Sequence, residues 1–328
     1  MKKIKKVLLY AVIAIILIAV IGVSYITLAL PNVGKPEDIH VTINPQTITR
    51  GDYLANHVSL CTDCHTQRDW SRYAGPVLDD RLGEGGELFD KKVNFPGTVH
   101  VPNITPYNLK NWTDGEIFRA ITAGVRKDGS AIFPLMPWPS YSKMSREDVY
   151  AIIAYLRTLK PINTSYLKAT YDFPLNILVH TFPQKASLGT IPNPADTLKY
   201  GAYLVTAAAC MDCHTRNLKG KAVAGMEFGG GRDFRIGNNT VRSANITPDK
   251  VTGIGNWSRE AFVQRFKVMS EPEKARKVSS TDAQTIMPWY DYSGMTETDL
   301  KAMYSYLKTI KPINNKVVTF QVNSFTSN

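Results

Sequence analysis

The sequence predicts a mainly α-helical protein with one transmembrane helix followed by two similar helical domains in tandem. Three observations support this prediction: an uncharged N-terminal run, an internal repeat of roughly 130 residues, and helical periodicity near the end of each copy. The chain has 328 residues, of which 44% are hydrophobic and 20% charged. This is a globular composition, and the chain is long enough for two cores.

The first predicted element is a membrane span. Four lysines within the first six residues precede an uncharged run from Val7 to Leu30, and at about 1.5 Å per residue this run spans roughly 36 Å. A cleavable signal peptide is the alternative, but its apolar region is usually about 7 to 15 residues and ends at a small-residue site. We therefore expect an uncleaved, single-pass anchor at residues 7–30 in the cell inner membrane, with everything after Pro31 on the periplasmic side.

A cysteine motif occurs twice in the exported part. "CTDCHT" at residues 61–66 returns as "CMDCHT" at residues 210–215, and the two motifs hold all four cysteines of the chain. Two local disulfides would suit an oxidising compartment but leave both histidines unexplained. A shared zinc site has suitable ligand types, yet 146 residues separate Cys64 from Cys210, unlike compact zinc sites. The spacing favours covalent c-type haem, held by Cys61 and Cys64 or by Cys210 and Cys213, with His65 or His214 on one axial face.

A second axial ligand is expected further along each copy. Met144 and Met295 each stand directly before a Ser or Thr with Asp three residues later, a pattern typical of a helix start with a hydrophobic staple. Met136 and Met287 are each followed by proline in a loop, 71 and 73 residues after the motif histidines. Filling a loop core is the alternative role for them. The predicted iron ligands are therefore His65 with Met136, and His214 with Met287.

The repeat gives the order of elements in each copy. "GDYLANHVSLC" matches "GAYLVTAAAC", "PNITP" matches "ANITP", and "DVYAIIAYLRTLKPIN" matches "DLKAMYSYLKTIKPIN". We expect a first helix that begins at Gly51 or Gly201 and crosses the last helix closely. After the cysteine motif come a hairpin-like segment, a helix, the methionine loop, and a final helix stopped by Pro161 or Pro312. The Asn and Thr of "NITP" either bind a haem propionate or shape a turn.

These elements divide the chain into domains. We predict domain 1 at 45–163, an interdomain connection at 164–194 that packs along both domains, domain 2 at 195–314, and a C-terminal tail at 315–328.

The chain resembles class I cytochrome c domains in tandem. It is most similar to dihaem cytochromes c related to the cytochrome subunits of membrane-bound alcohol, aldehyde and gluconate dehydrogenases. The resemblance rests on "GDYL…CTDCHT", both "NITP" segments, "TGIGNW" and "MPWPSYSKMSREDVYAIIAYL". It implies that Met136 and Met287 are the sixth ligands. Those subunits commonly carry three haems, whereas this chain has two motifs.

The expected cofactors are two covalently bound haem c groups, and no catalytic residue is predicted. An iron held by His and Met has no open position, so we expect Fe(III)/Fe(II) exchange alone. The chain would transfer electrons between a dehydrogenase or quinol-oxidising complex and a terminal acceptor such as an oxidase. A dihaem peroxidase-like enzyme and an obligate electron-wiring subunit of a respiratory complex are the alternatives.

Charge and the remaining histidines complete the prediction. Residues 31–165 carry 15 basic and 15 acidic side chains, whereas residues 166–328 carry 20 and 13. The excess is either a solvated face or a docking surface for an acidic redox partner. A nucleic-acid partner is excluded by compartment. Four histidines do not recur between the copies and are expected to be surface or packing residues: His40, His57, His100 and His180.

Overall fold

A computed structural model describes residues 2–218 and 220–323 and confirms a mainly α-helical chain with an apolar N-terminal helix. The predicted tail is described as far as residue 323, and its residues 324–328 lie outside the described residues. The helices are α1 (Lys2–Ala29), α2 (Pro45–Tyr53), α3 (Cys61–Cys64), α4 (Pro106–Leu109), α5 (Asp114–Ala123), α6 (Trp138–Tyr141), α7 (Arg146–Leu156), α8 (Leu175–Leu178), α9 (Thr197–Ala207), α10 (Cys210–Cys213), α11 (Arg259–Lys267), α12 (Trp289–Ser293) and α13 (Glu297–Leu307). A π-helical turn, Leu54–Val58, extends α2. By length and composition α1 could cross a membrane.

Short strands occur between each cysteine motif and the following helices, and again after each final helix. They are β1 (Leu88–Phe89), β2 (Gly97–His100), β3 (Thr170–Tyr171), β4 (Asn217–Leu218), β5 (Lys221–Ala222), β6 (Asp233–Ile236), β7 (Asn239–Arg242) and β8 (Phe320–Gln321). The sheet orders are β1-β2-β3, β4-β5 and β6-β7-β8, with every pair antiparallel. The predicted hairpins are therefore present, and each three-stranded sheet gains its last strand from the chain that follows a final helix.

The predicted close crossing of first and last helices is confirmed in both halves, residues 45–163 and residues 195–314. Helix α2 packs on α7 and α9 packs on α13. A Cβ atom added at Gly51 would collide with the carbonyl oxygen of Ala151, and one at Gly201 would collide with that of Ala302. The glycines thus permit backbone contact between the helices.

The predicted starting points of the first helices were wrong, because α2 begins at Pro45 and α9 at Thr197. Asn44 caps α2 by accepting a hydrogen bond from the Thr47 backbone N–H (2.9 Å), and Pro45 occupies the first helical position, where its missing N–H costs nothing. Both glycines consequently lie inside their helices.

The final helices start as predicted. Ser145 accepts from the Asp148 N–H and Thr296 from the Asp299 N–H, each at 3.1 Å. They end at Leu156 and Leu307, short of the prolines. In the first, the Thr158 hydroxyl donates to the Tyr155 carbonyl (2.7 Å) and satisfies one of the last free acceptors of the helix.

The Ser or Thr with Asp three residues later could form a reciprocal capping box, but only the Ser145 and Thr296 half forms, because both aspartates bind tyrosines of the opposite half. The Tyr53 hydroxyl donates to Asp299, and the Tyr203 hydroxyl donates to Asp148, each at 2.5 Å. Each tyrosine oxygen also accepts a backbone N–H, from Thr296 at 3.1 Å or Ser145 at 3.2 Å. We call these two reciprocal pairs, Tyr53 with Asp299 and Tyr203 with Asp148, the tyrosine–aspartate exchange.

The connection was expected to pack along both domains, and the contacts described for it lie along the first half. Its strand β3 pairs with β2, and the ring of Phe182 packs edge-on against Phe133 at 5.7 Å. Further along, the Gly189 N–H donates to the Lys143 carbonyl at 3.2 Å.

Candidate haem sites

The two cysteine motifs form matched single helical turns, α3 and α10. Each turn follows a residue in the left-handed backbone region, Leu60 at φ 53° and Ala209 at φ 50°. Cysteines three residues apart in a helical turn project from the same face, and the His65 N–H donates to the Cys61 carbonyl (3.0 Å). All four thiols are free.

Each motif histidine is oriented by one backbone carbonyl. His65 Nδ1 lies 2.7 Å from the Pro102 oxygen, and His214 Nδ1 lies 2.7 Å from the Ala244 oxygen. Because a carbonyl can only accept, Nδ1 carries the proton and Nε2 keeps its lone pair. Burial lowers the pKa of His65 to about 4 and also lowers the pKa of His214. Both imidazoles are therefore neutral at pH 7, which is the metal-binding form.

The "NITP" segments hold those carbonyls in place. Asn103 accepts from the Thr105 N–H (2.8 Å) and hydroxyl (2.7 Å), and donates to the Ile162 carbonyl (2.7 Å). Asn245 and its neighbours repeat the arrangement, with its amide donating to Ile313 at 2.7 Å. The side chains of both copies are used within the protein, so the structure favours the turn over the propionate role.

The thiols lie in dense surroundings although part of their surface is accessible. Cys64 and Cys213 are exposed, and Cys61 and Cys210 are partly so, as expected for side chains lining a crevice. Burial raises the pKa of Cys61 and Cys210 to about 12. The free thiols are thus protonated at neutral pH. Within residues 2–218 and 220–323, no three His, Cys, Asp or Glu side chains gather as a metal site.

The methionines fall into two environments. Met144 and Met295 are fully buried, at 1% and 0% exposure, and the Met144 sulfur accepts a hydrogen bond from the Ser59 hydroxyl at 3.6 Å. Met136 and Met287 are partly buried in non-helical loops at the margin of the core, where Cys61 and Cys210 also pack. Their position leaves the thioethers nearer the surface of each half than the buried pair.

The other four histidines have contacts of their own. His57 Nδ1 lies 2.8 Å from the Asp291 carbonyl, and His180 Nδ1 lies 3.2 Å from that of Leu30. His100 stacks on Tyr166 with ring centroids 6.0 Å apart, and His40 is exposed beside Asp38.

The two motifs lie close to each other where the halves meet. Asp212, inside the second motif, accepts a hydrogen bond from Ser140 of the first half, and His57, four residues before the first motif, lies 2.8 Å from the Asp291 carbonyl of the second half. Tyr141 and Tyr292 each contact the chain just before a motif. Their hydroxyls donate to the carbonyls of Ser59 (2.5 Å) and Ala208 (2.9 Å), which fixes the backbone just before each motif.

Polar side chains join the motifs across this junction. The Ser140 hydroxyl donates to Asp212 at 2.9 Å, and two carboxyl groups, Asp291 and Asp63, occupy the equivalent positions. Burial and the Asp63 charge raise the pKa of Asp291 well above its ordinary value. Arg68 lies 3.3 Å from Asp63, so we place the proton on Asp291 and the charge on Asp63.

Several of these supporting residues were missed from sequence. The carbonyls of Pro102 and Ala244 leave no side-chain signal, although each directly precedes a repeated "NITP". Tyr141 and Tyr292 recur at matched places in "MPWPSY" and "MPWYDY", and this recurrence could have identified them.

The donor set of each motif fits covalent haem c. It offers two thiols on one face of a helical turn and an imidazole with its Nε2 free, with a partly buried thioether in a loop of the same half.

Comparisons with known proteins agree with this chemistry. The family model described as cytochrome c matches residues 198–311. The chain is 27% identical to the cytochrome c subunit of a quinone alcohol dehydrogenase from Gluconacetobacter polyoxogenes, over 86% of this chain and 59% of that protein. It is 28% identical to the fructose dehydrogenase cytochrome subunit of Gluconobacter japonicus, over 80% and 52%. A dihaem cytochrome c from Cereibacter sphaeroides is 28% identical, over 77% and 82%.

This chain therefore spans little more than half the length of the dehydrogenase subunits it matches. The resemblance found from sequence is confirmed: residues 198–311 are a cytochrome c domain, and the chain is homologous to cytochrome c subunits of quinone alcohol, fructose and gluconate dehydrogenases and to a dihaem cytochrome c.

Proposed function

We propose that the chain is a membrane-anchored dihaem cytochrome c that carries electrons between a dehydrogenase or quinol-oxidising complex and a terminal acceptor. Residues 7–30 are the single inner-membrane span, and the haem domains, 45–163 and 195–314, lie on the periplasmic side. The first haem is bound by Cys61, Cys64, His65 and Met136. The second is bound by Cys210, Cys213, His214 and Met287.

One observation carries the proposal above all others. The cysteine motif, the carbonyl that orients its histidine and the "NITP" turn behind that carbonyl all occur twice, with the same hydrogen bonds. The first copy therefore has the same protein groups as the second, in which the cytochrome c family is recognised.

The protein groups of each site hold and shield a redox centre. Haem c supplies one-electron Fe(III)/Fe(II) exchange when bound. The carbonyl of Pro102 or Ala244 keeps the imidazole in one tautomer and orientation, which makes it a stronger ligand. The hydrogen bond from Ser140 of the first half to Asp212, inside the second motif, supports a short path between the sites, so electrons would pass from one half to the other within the chain.

The partner is proposed from the relatives and from charge. Cytochrome c subunits of dehydrogenases are among the relatives, which supports a dehydrogenase as electron donor. The external excess of positive charge lies wholly in residues 166–328, and this supports docking of an acidic redox protein on the second half.

Haem content is the first test. Alkaline pyridine spectra of the native protein, combined with intact mass, should give two covalently bound haems for each chain. A single haem, on residues 210–214 only, would overturn the dihaem assignment while leaving the electron-carrier role of the second half.

Purification from membranes in mild detergent tests the partner. A dehydrogenase retained in fixed stoichiometry would identify the chain as its electron-accepting subunit, whereas a retained oxidase would place it at the delivery end. Recovery of the protein in the soluble fraction would contradict the membrane anchor.

A further inference from the structure

The end of α1 is clamped by the connection between the two halves. Helix α8 and the following 3₁₀ turn, Val179–Thr181, both contact α1. Ile26 is the one α1 side chain between residues 3 and 29 that is not exposed. His180 Nδ1 also lies 3.2 Å from the Leu30 carbonyl. The contact is therefore made by the last turns of the helix.

This contact fixes the depth of the connection if α1 spans a bilayer. Ile26 lies four residues before Leu30, the end of the uncharged run, which is about 6 Å along a helix. A span of this length has its last turns at the boundary between hydrocarbon and headgroups. Residues that pack on Ile26 must lie at that same boundary.

The segment that contacts α1, residues 173–182, exposes apolar side chains at this depth. Phe173, just before α8, is 79% exposed, and Leu178, at its end, is 44% exposed. Lys91 lies 3.5 Å from Asp172, next to Phe173, and is itself well exposed. Exposed apolar side chains flanked by a long basic side chain are typical of a surface that meets acyl chains and lipid phosphates together.

The same segment is tied firmly to the first half. The Asp172 N–H donates to the Pro96 carbonyl at 3.0 Å, and Phe182 packs against Phe133. A membrane contact here would be transmitted to the whole half, because the segment cannot move independently of it.

We propose that residues 173–182 lie in the outer interface of the membrane, with Phe173 and Leu178 in lipid, and thereby fix the height and tilt of the haem domains above the bilayer. This inference rests on the proposed membrane anchor. The surface partner is a phospholipid bilayer, and its role is to hold the haems in one orientation toward membrane-bound redox partners.

Photoreactive lipid tests the contact. The full haem-loaded chain is placed in phosphatidylcholine nanodiscs that contain a lipid with a diazirine in its acyl chain, and adducts are mapped by mass spectrometry. We expect adducts along α1 and on the peptide containing residues 173–178. Adducts on α1 alone would overturn this inference but keep the anchor, whereas adducts on neither would overturn both.

Haem orientation gives an independent readout. In oriented bilayers, a Phe173→Ser/Leu178→Ser variant should lose the linear dichroism of the haem bands, because the domains then tumble on the anchor. A Val251→Ser/Val268→Ser variant changes two exposed residues of the second half and should keep the wild-type dichroism. Equal haem content and thermal midpoints would show that both variants fold, and unchanged dichroism in the first variant would refute the inference.

Discussion

At the scale of single residues, each proposed iron ligand is one of two methionines that lie eight positions apart in the sequence. Met144 is committed to the core by its burial and by the Ser59 hydrogen bond, whereas Met136 stays at the core margin. This difference supports the proposal that Met136, and not Met144, is the iron ligand.

Replacement of the loop methionines should change the haem. In Met136→Ala or Met287→Ala, loss of the thioether ligand should lower the reduction potential of that haem, because Met ligation raises it. The position left open on the iron should also allow carbon monoxide to bind. Redox titration with spectra under carbon monoxide measures both effects. Met144→Leu, a volume-conserving core change, is the matched control and should leave the spectra unchanged. Carbon monoxide binding to Met144→Leu but not Met136→Ala would reverse the assignment.

The Asp63–Asp291 pair makes stability depend on pH. A carboxyl whose pKa is raised by folding binds a proton that the unfolded chain releases, so stability falls as pH rises from about 4, the unfolded value, toward the raised pKa of Asp291. Asp291→Asn removes this proton uptake.

We therefore expect Asp291→Asn to be more stable than wild type at pH 7, with a smaller difference near pH 4. Denaturant unfolding of the holoprotein at both pH values measures this. Asp282→Asn provides a control of opposite sign, since hydrogen bonds from Ser279 lower the pKa of Asp282 and its replacement should reduce stability at pH 7. An Asp291→Asn variant less stable than wild type at pH 7 would contradict the proton placement.

Sequence identified candidate ligand side chains but not the groups that position them. Cysteine, histidine and methionine are rare residues, and their recurrence at matched spacing in the two copies identified them as candidates. The Pro102 and Ala244 carbonyls belong to the backbone, and any residue could supply them. The Asp63–Asp291 pair consists of residues distant in sequence, and only the packing of the two halves brings their carboxyl groups within electrostatic reach.

At the scale of elements, the crossings α2 with α7 and α9 with α13 depend on backbone contact at glycine. Helical periodicity and caps predicted the final helices, because those signals are local. The starts of α2 and α9 were not predicted, because in sequence a glycine at a helix boundary looks the same as a glycine at a helix crossing. The aspartates at the starts of the final helices accept hydrogen bonds from tyrosines of the opposite half. This tertiary contact replaces the local capping contact that the sequence pattern favours.

Gly51→Ala should destabilise the first half. The added methyl group meets the Ala151 carbonyl and the Tyr155 Cβ, and overpacking of this kind typically costs about 1–3 kcal/mol. Denaturant unfolding followed at the haem band measures the loss. Gly22→Ala, in α1, has no atom within 4 Å of the new Cβ and should leave the unfolding of the haem domains unchanged. Wild-type stability in Gly51→Ala would refute the close crossing.

At the scale of the whole molecule, the tyrosine–aspartate exchange joins the halves. Tyr53→Phe should cost about 1.5–3 kcal/mol in free energy of unfolding, because a hydrogen bond to a buried charged group is lost. Tyr203→Phe should cost a similar amount, and the double variant should slow electron exchange between the haems, measured after flash reduction. Tyr107→Phe, at an exposed position, is the control. If the double variant kept both its stability and its rate of electron exchange between the haems, the tyrosine–aspartate exchange would have no role in joining the halves.

The charge difference between the halves should appear in association kinetics. Electron transfer from an acidic protein donor through the second haem should slow as ionic strength rises, because salt screens long-range attraction. A small uncharged reductant serves as the control and should show no such dependence. Stopped-flow rates independent of salt with the acidic donor would argue against docking on the second half.

The reciprocity of the tyrosine–aspartate exchange bears on how such a chain could arise. Each copy supplies the tyrosine for the other copy and needs one in return for its own buried aspartate. A single ancestral copy could meet that need by pairing with an identical chain, as in a two-fold symmetric homodimer. Gene duplication and fusion would then preserve the contact within one polypeptide, and the copies would become free to diverge, as Ser140 and Asp291 have done at equivalent positions.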